Sequence, residues 1–244
     1  MTKLYVCEIS NLIEEIKADE NAIQSYFDKL GKTRIEHILK NNRAEDRARA
    51  LGASLLLLFA LGKEDCELEC LPDFAFTAKG KPYIKAYGNL HFNISHTKNI
   101  ITCVIAGAEV GVDVEHIREI KEATVNRVFS ENEKKMAEYK QEGYVRLWTM
   151  KEACAKLSGN GLSDILEGME IVENEKGKCI KKLNQDIRKT SCYMVVAEGK
   201  LSDAFDYPYY YSVCSFMDNV NMNSYSQVPV LKYQWDNGHF IEYI

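Results

Sequence analysis

Asp113 and Glu115 flank a single valine in the stretch VGVDVEHI. The stretch is alternating and β-branched, so it reads as a strand, and on a strand positions i and i+2 share a face. Two carboxylates side by side repel each other unless a positive charge sits between them. Mg²⁺ suits that arrangement, because it takes oxygen ligands from one or two carboxylates and keeps water and substrate phosphates for the rest. An exposed face at a sheet edge accommodates the same pair equally simply. A second group lies on Tyr144–Ser158, where Trp148, Glu152 and Lys156 recur at i, i+4 and i+8 and form one helical stripe. A tryptophan on that stripe points to a cleft rather than open solvent. Glu152 is then a candidate third metal ligand, and Lys156 a point charge for a phosphate.

Three further clusters carry polar chemistry. Ser95 and His96 are adjacent, so on an extended chain they point apart, and no G-x-S-x-G elbow accompanies them. They are not a hydrolase pair. Two readings remain: a structural histidine near a strand, or hydroxyl and imidazole donors for a phosphate. Lys79-Gly80-Lys81-Pro82 places two ammoniums on a stiffened turn, a local basic patch suited to an anionic small molecule. Ser130-x-x-Glu133 is a capping-box pattern, worth about 1 kcal/mol to the helix it opens.

The elements that must hold these groups are mixed. Leu4–Ile9 reads as a strand, Arg43–Leu61 as a helix turning from charged to apolar, and NIITCVIAG and VGVDVEHI as strands. One helix opens at Ser130, and another ends at Gly159 in the manner of a C-cap. The last third is strand-rich, with SCYMVVAE, YPYYYSVCSF, VPVLKYQW and HFIEYI, the last two joined by Asp236-Asn237-Gly238 as a tight hairpin. There is no regular βαβ alternation, so the class is α+β. Each half carries a helix, a polar loop and two apolar strands, NIITCVIAG with VGVDVEHI and YYYSVCSF with VPVLKYQW. A boundary near 108 divides the chain into two similar lobes, 1–107 and 108–244.

With 244 residues, 46% of them hydrophobic, the chain has material for a sizeable core. The net charge of −5 argues against nucleic acid and anionic membranes as partners, since both attract a positive field. The longest apolar run, Leu51–Leu61, is too short to span a bilayer, and MTKLYVCEISNLIEEIK lacks the apolar core of a secretory signal. The eight cysteines form no C-x-x-C pair and read as reduced thiols, several of them small core residues, of a cytoplasmic protein.

Taken in order, Gly80-Lys81-Pro82, Phe92-Asn93-Ile94-Ser95-His96, Gly111-Val112-Asp113-Val114-Glu115, Phe129-Ser130-x-x-Glu133, Trp148-x-x-Lys151-Glu152-Ala153-x-x-Lys156 and Gly159-x-Gly161-Leu162-Ser163 resemble the motifs of the Sfp-type 4′-phosphopantetheinyl transferases. They cover the middle third of the chain, and its length is similar to that of the double-lobed members. The resemblance implies two similar α/β lobes related by a pseudo-twofold axis, with the active site at their interface. It implies transfer of the phosphopantetheine arm of coenzyme A to a serine of an apo acyl or peptidyl carrier protein, leaving 3′,5′-ADP. Asp113, Glu115 and Glu152 would hold Mg²⁺, with Mn²⁺ as a substitute. Lys156 and His96 would hold phosphate oxygens. Asp113, Lys79, Lys81, Pro82 and Ser95 would contribute to coenzyme A binding. The matching glutamate of the family is a candidate general base, which sets a catalytic role for Glu133 beside its capping role. In the first lobe, Arg34 and Arg49 are candidates for the 3′-phosphate of coenzyme A, with solvated helix surface as their alternative. The expected protein is a cytoplasmic monomer with no nucleic-acid or membrane partner.

Overall fold

The computed structural model describes residues 2–166, 168–174, 177–182, 194–201, 208–216 and 228–243. The chain forms two compact units, Met1–Gly107 with Pro229–Ile244, and Ala108–Val228.

The first unit is built on β1 (Lys3–Glu8), β4 (His91–Thr97), β5 (Ile100–Ala106), β11 (Val230–Asp236) and β12 (His239–Glu242), in the order β12-β11-β1-β5-β4. The small ribbon β2 (Ala75–Phe76) and β3 (Pro82–Tyr83) stands apart from that sheet. Strand β1 is central and almost wholly buried, which its run of apolar residues dictates. It pairs antiparallel with β5 and parallel with β11. Helices α1 (Ser10–Ala18), α2 (Lys32–Leu39) and α3 (Ala44–Lys63) complete the unit. The stretch Leu51–Leu57 of α3 is buried almost throughout and belongs to the core of this unit. Gly52 lets α3 settle on the sheet, because an added Cβ there would lie 3.3 Å from both Ile101 and Leu12.

The second unit holds β6 (Val110–His116), β7 (Met169–Asn174), β8 (Gly177–Lys182), β9 (Met194–Leu201) and β10 (Tyr209–Phe216). Their order is β6-β10-β9-β8-β7, with every neighbouring pair antiparallel. Helices α4 (Glu122–Val128), α5 (Glu131–Met136), α6 (Gln141–Ser158) and α7 (Leu162–Leu166) belong to this unit. Helix α6 ends at Gly159 with φ 74°, the left-handed cap that glycine adopts without a steric penalty.

Strands β5 and β6 lie in different sheets, β5 paired with β1 and β4 and β6 with β10. One expectation changes. The second lobe does not run to 244, since β11 and β12 return to the first unit through the ladder between β1 and β11. Each strand goes where its apolar faces are covered, and sequence adjacency does not enforce that choice. The hairpin at Asn237-Gly238 forms as expected, with φ 45° and 83°, both positive as a type I′ turn requires. Among the described residues no helix is long and apolar enough to cross a membrane.

Candidate active site

Strand β6 carries Gly111, Asp113 and Glu115 on one face, and α6 lies over that face. The closest approach is at Gly111, where an added Cβ would sit 2.0 Å from the Ala153 carbonyl oxygen and 2.7 Å from the Leu157 nitrogen. Only a residue without a side chain lets helix and strand backbones meet there. Gly111→Ala should therefore displace α6 and destabilise the protein by about 3 kcal/mol, as overpacking does. Thermal unfolding checks this, and an unchanged midpoint would show that the helix yields freely.

This approach brings Lys156 onto Asp113, with Nζ donating to Oδ1 at 2.7 Å. Asp113 is 5% exposed, so its charge is compensated by a partly exposed ammonium rather than by bulk water. Glu115 accepts from the guanidinium of Arg118 at 3.2 Å. Burial raises the Glu115 carboxyl above the usual carboxylate range, and the Asp113 charge adds to the effect against Arg118. Burial likewise raises Glu152, with Asp113 and then Glu115 contributing repulsion that Lys156 partly offsets. Trp148, Glu152 and Lys156 form the half-buried stripe anticipated for α6. The structure thus brings Asp113, Glu115, Glu152 and Lys156 into one electrostatic group.

Among the described residues, no three His, Cys, Asp or Glu side chains converge closely enough to hold a metal ion. The carboxylates lean toward cationic side chains instead, Asp113 to Lys156 and Glu115 to Arg118. Arg118 was not anticipated, and only its position three residues after Glu115 signals the contact.

Glu133 forms the capping box that its spacing predicts. Its capping box with Ser130 is complete, with Ser130 N donating to Oε2 at 2.9 Å and Glu133 N donating to Ser130 Oγ at 3.2 Å. Its other oxygen accepts from Ile171 N at 2.9 Å, and Lys151 Nζ lies 2.9 Å from Oε2. The residue is 0% exposed. Both oxygens are bonded within the unit, so the carboxylate ties α5 to α6 and β7. Lys151, to which the motif reading attached no role, is the centre of this knot. Its ammonium also donates to the carbonyls of Val128 and Met169 at 2.8 and 2.7 Å. Its position among Met150, Ala153, Cys154 and Ala155 is the sequence signal for burial.

The first unit places the other candidates. Ser95 and His96 lie on β4 and point apart, Ser95 buried and His96 exposed. Lys79 and Lys81 flank Gly80, whose φ of 83° closes the turn between β2 and β3, and Pro82 opens β3. The turn is held by Thr77, which donates its N–H to the Lys81 carbonyl at 2.9 Å and accepts Lys81 N–H on Oγ1 at 3.1 Å. Arg49 bonds Asp46 and the carbonyl of Lys98 in the turn after His96, so it shares that end of β4. Arg34 is not solvated helix surface. Its guanidinium donates to Ser54 Oγ at 2.6 Å and the Ala50 carbonyl at 3.2 Å, and it lies over the Phe74 ring. Burial lowers its pKa to about 10.

Residues 109–210 match the family model of the 4′-phosphopantetheinyl transferase superfamily. Relatives include the 4′-phosphopantetheinyl transferase ffp of Bacillus subtilis, 30% identical over 164 residues, 63% of this chain and 70% of that protein. The chain belongs to the 4′-phosphopantetheinyl transferase superfamily. A second transferase of Bacillus subtilis is 28% identical over 193 residues, 75% of this chain and 83% of that protein. The match to psf-1 of Bacillus pumilus is 33% identical over 115 residues and spans 49% of that relative. The region matched by the superfamily model contains β6 and α6, and therefore Gly111, Asp113, Glu115, Glu152 and Lys156.

Proposed function

We propose that this transferase moves the 4′-phosphopantetheine arm of coenzyme A onto a serine hydroxyl of an apo acyl or peptidyl carrier protein and releases 3′,5′-ADP. The observation that carries the reading is that the region shared with the 4′-phosphopantetheinyl transferases brings Lys156 onto Asp113 at 2.7 Å beside Glu115 and Glu152. Three hard oxygen donors in mutual repulsion fit a divalent cation, and Asp113, Glu115 and Glu152 are the residues that would hold Mg²⁺ or Mn²⁺. When bound, the cation polarises the pyrophosphate and stabilises the leaving phosphate.

The chain's own groups supply alignment and charge. The Lys156 ammonium, tethered by Asp113, neutralises a phosphate oxygen. The serine Oγ gives up its proton as it attacks phosphorus, and Glu133 is the candidate acceptor, its capping-box role with Ser130 being the alternative. His96, exposed at the end of β4, takes phosphate oxygens, with Lys79, Lys81, Pro82 and Ser95 binding the remainder of coenzyme A. Arg49 and the desolvated Arg34 are assigned to the 3′-phosphate. A pseudo-twofold relation of the two units, an active site at their interface, a monomeric state and a cytoplasmic location belong to the same proposal and rest on the resemblance to the family.

Incubation with coenzyme A, Mg²⁺ and an apo carrier protein tests it by intact mass. The carrier should gain one phosphopantetheine, and EDTA should abolish the gain. Consumption of coenzyme A with no gain on any of several carriers would replace the transferase reading with hydrolysis.

A further inference from the structure

The face that α6 covers carries a line of polar side chains beside its apolar contact at Cys214. In the ladder between β6 and β10, Asp113 is paired with Ser212 and Glu115 with Tyr210. In the next ladder Ser212 is paired with Glu198 and Tyr210 with Lys200. Cross-strand partners and alternate residues share a face, so these side chains form a polar lattice beneath the helix. Helix α6 answers it in order. Glu142 accepts from Lys200 and Tyr210, both at 2.7 Å. Arg146 donates to both oxygens of Glu198, at 2.7 and 2.6 Å. Thr149 Oγ1 lies 3.0 Å from Ser212 Oγ, and Lys156 reaches Asp113. The helix therefore crosses from β9 over β10 to β6 with a polar contact on each strand.

The middle contact differs from its neighbours. Arg146 and Lys156 have side chains 33% and 29% exposed, whereas Thr149 and Ser212 are both 0% exposed. The Thr149 hydroxyl donates to the Arg146 carbonyl at 2.8 Å, so Ser212 is the donor to Thr149. Two enclosed hydroxyls have no water to turn to if the helix slides or rotates, and the contact holds one register only. Thr149 and Lys156 are seven residues apart and lie on one side of the helix. Ser212 and Asp113 are strand neighbours. The register set at Thr149 is thus transmitted to Asp113 from both the helix and the strand.

We infer that Thr149 and Ser212 are positioning residues for the reaction: their buried hydroxyl contact fixes where α6 crosses β10 and so sets Glu152 and Lys156 against Asp113. The inference rests on the transfer reaction and the cation site proposed above. Thr149→Val removes the hydroxyl at nearly constant volume, Ser212→Ala removes its partner, and Thr149→Ser restores the hydroxyl. Binding of Mn²⁺ in the presence of coenzyme A, followed by electron paramagnetic resonance, should weaken by about 10-fold or more in Thr149→Val and Ser212→Ala, the size expected when a group that orients a ligand is lost. Thr149→Ser should return most of it. The Mg²⁺ concentration for half-maximal transfer should rise in parallel. Lower thermal midpoints with Mn²⁺ affinity within twofold of the parent in Ser212→Ala would mean ordinary packing and overturn the inference, even if Thr149→Val failed to fold. A parent protein that transfers nothing and binds no Mn²⁺ would instead overturn the reaction itself, and the inference with it.

Discussion

Asp113→Asn should cut phosphopantetheine transfer by at least about 100-fold, close to 2.7 kcal/mol of transition-state stabilisation, and leave the fold cooperative. The substitution keeps volume and shape and removes one negative charge. It leaves Lys156 without its charged partner at 2.7 Å and reduces three carboxylates to two. The ammonium is partly exposed, so water solvates it and little stability is lost. Carrier mass gain and the thermal midpoint, taken on the same sample, separate the two effects. Full transfer at ordinary Mg²⁺ would remove Asp113 from the site. Collapse of the fold would make it a structural carboxylate.

Lys151→Met should act in the opposite way, on stability first. Its ammonium is 1% exposed and serves Glu133, Val128 and Met169 together. Burial lowers its proton affinity, and the Glu133 carboxylate opposes that shift. Removing one member of an enclosed ion pair strands the other, which costs roughly 3–5 kcal/mol. Thermal unfolding should shift down by roughly 6–20 °C for a chain of this size. Adding Glu133→Leu should recover only part of that, because the N–H groups of Ser130 and Ile171 then lose their acceptor. A single variant as stable as the parent would show that the knot does not hold α5 and β7 to α6.

Glu133 shows why part of the site was illegible in one dimension. The pattern Ser130-x-x-Glu133 is local, and the capping box it encodes is present. The further partners of that carboxylate, Lys151 on another helix and Ile171 on a strand, lie outside any local pattern. Arg34 makes the same point. Its helix reads as charged surface, yet its partners Ser54 and Ala50 lie on α3, and they draw it inward.

By itself the sequence determined whatever depends on neighbours within a turn or two. These features are the shared face of Asp113 and Glu115, the stripe of Trp148, Glu152 and Lys156, the cap at Gly159 and the turn at Asn237-Gly238. Backbone periodicity and local sterics set them before any tertiary contact exists. Only the tertiary structure decided that β5 and β6 part into different sheets, that β11 returns to β1, and that α6 lies on β6 closely enough at Gly111 to bring Lys156 to Asp113. Those choices depend on which apolar faces are covered and which charges are desolvated together, quantities that belong to the packed molecule and to no short stretch of it.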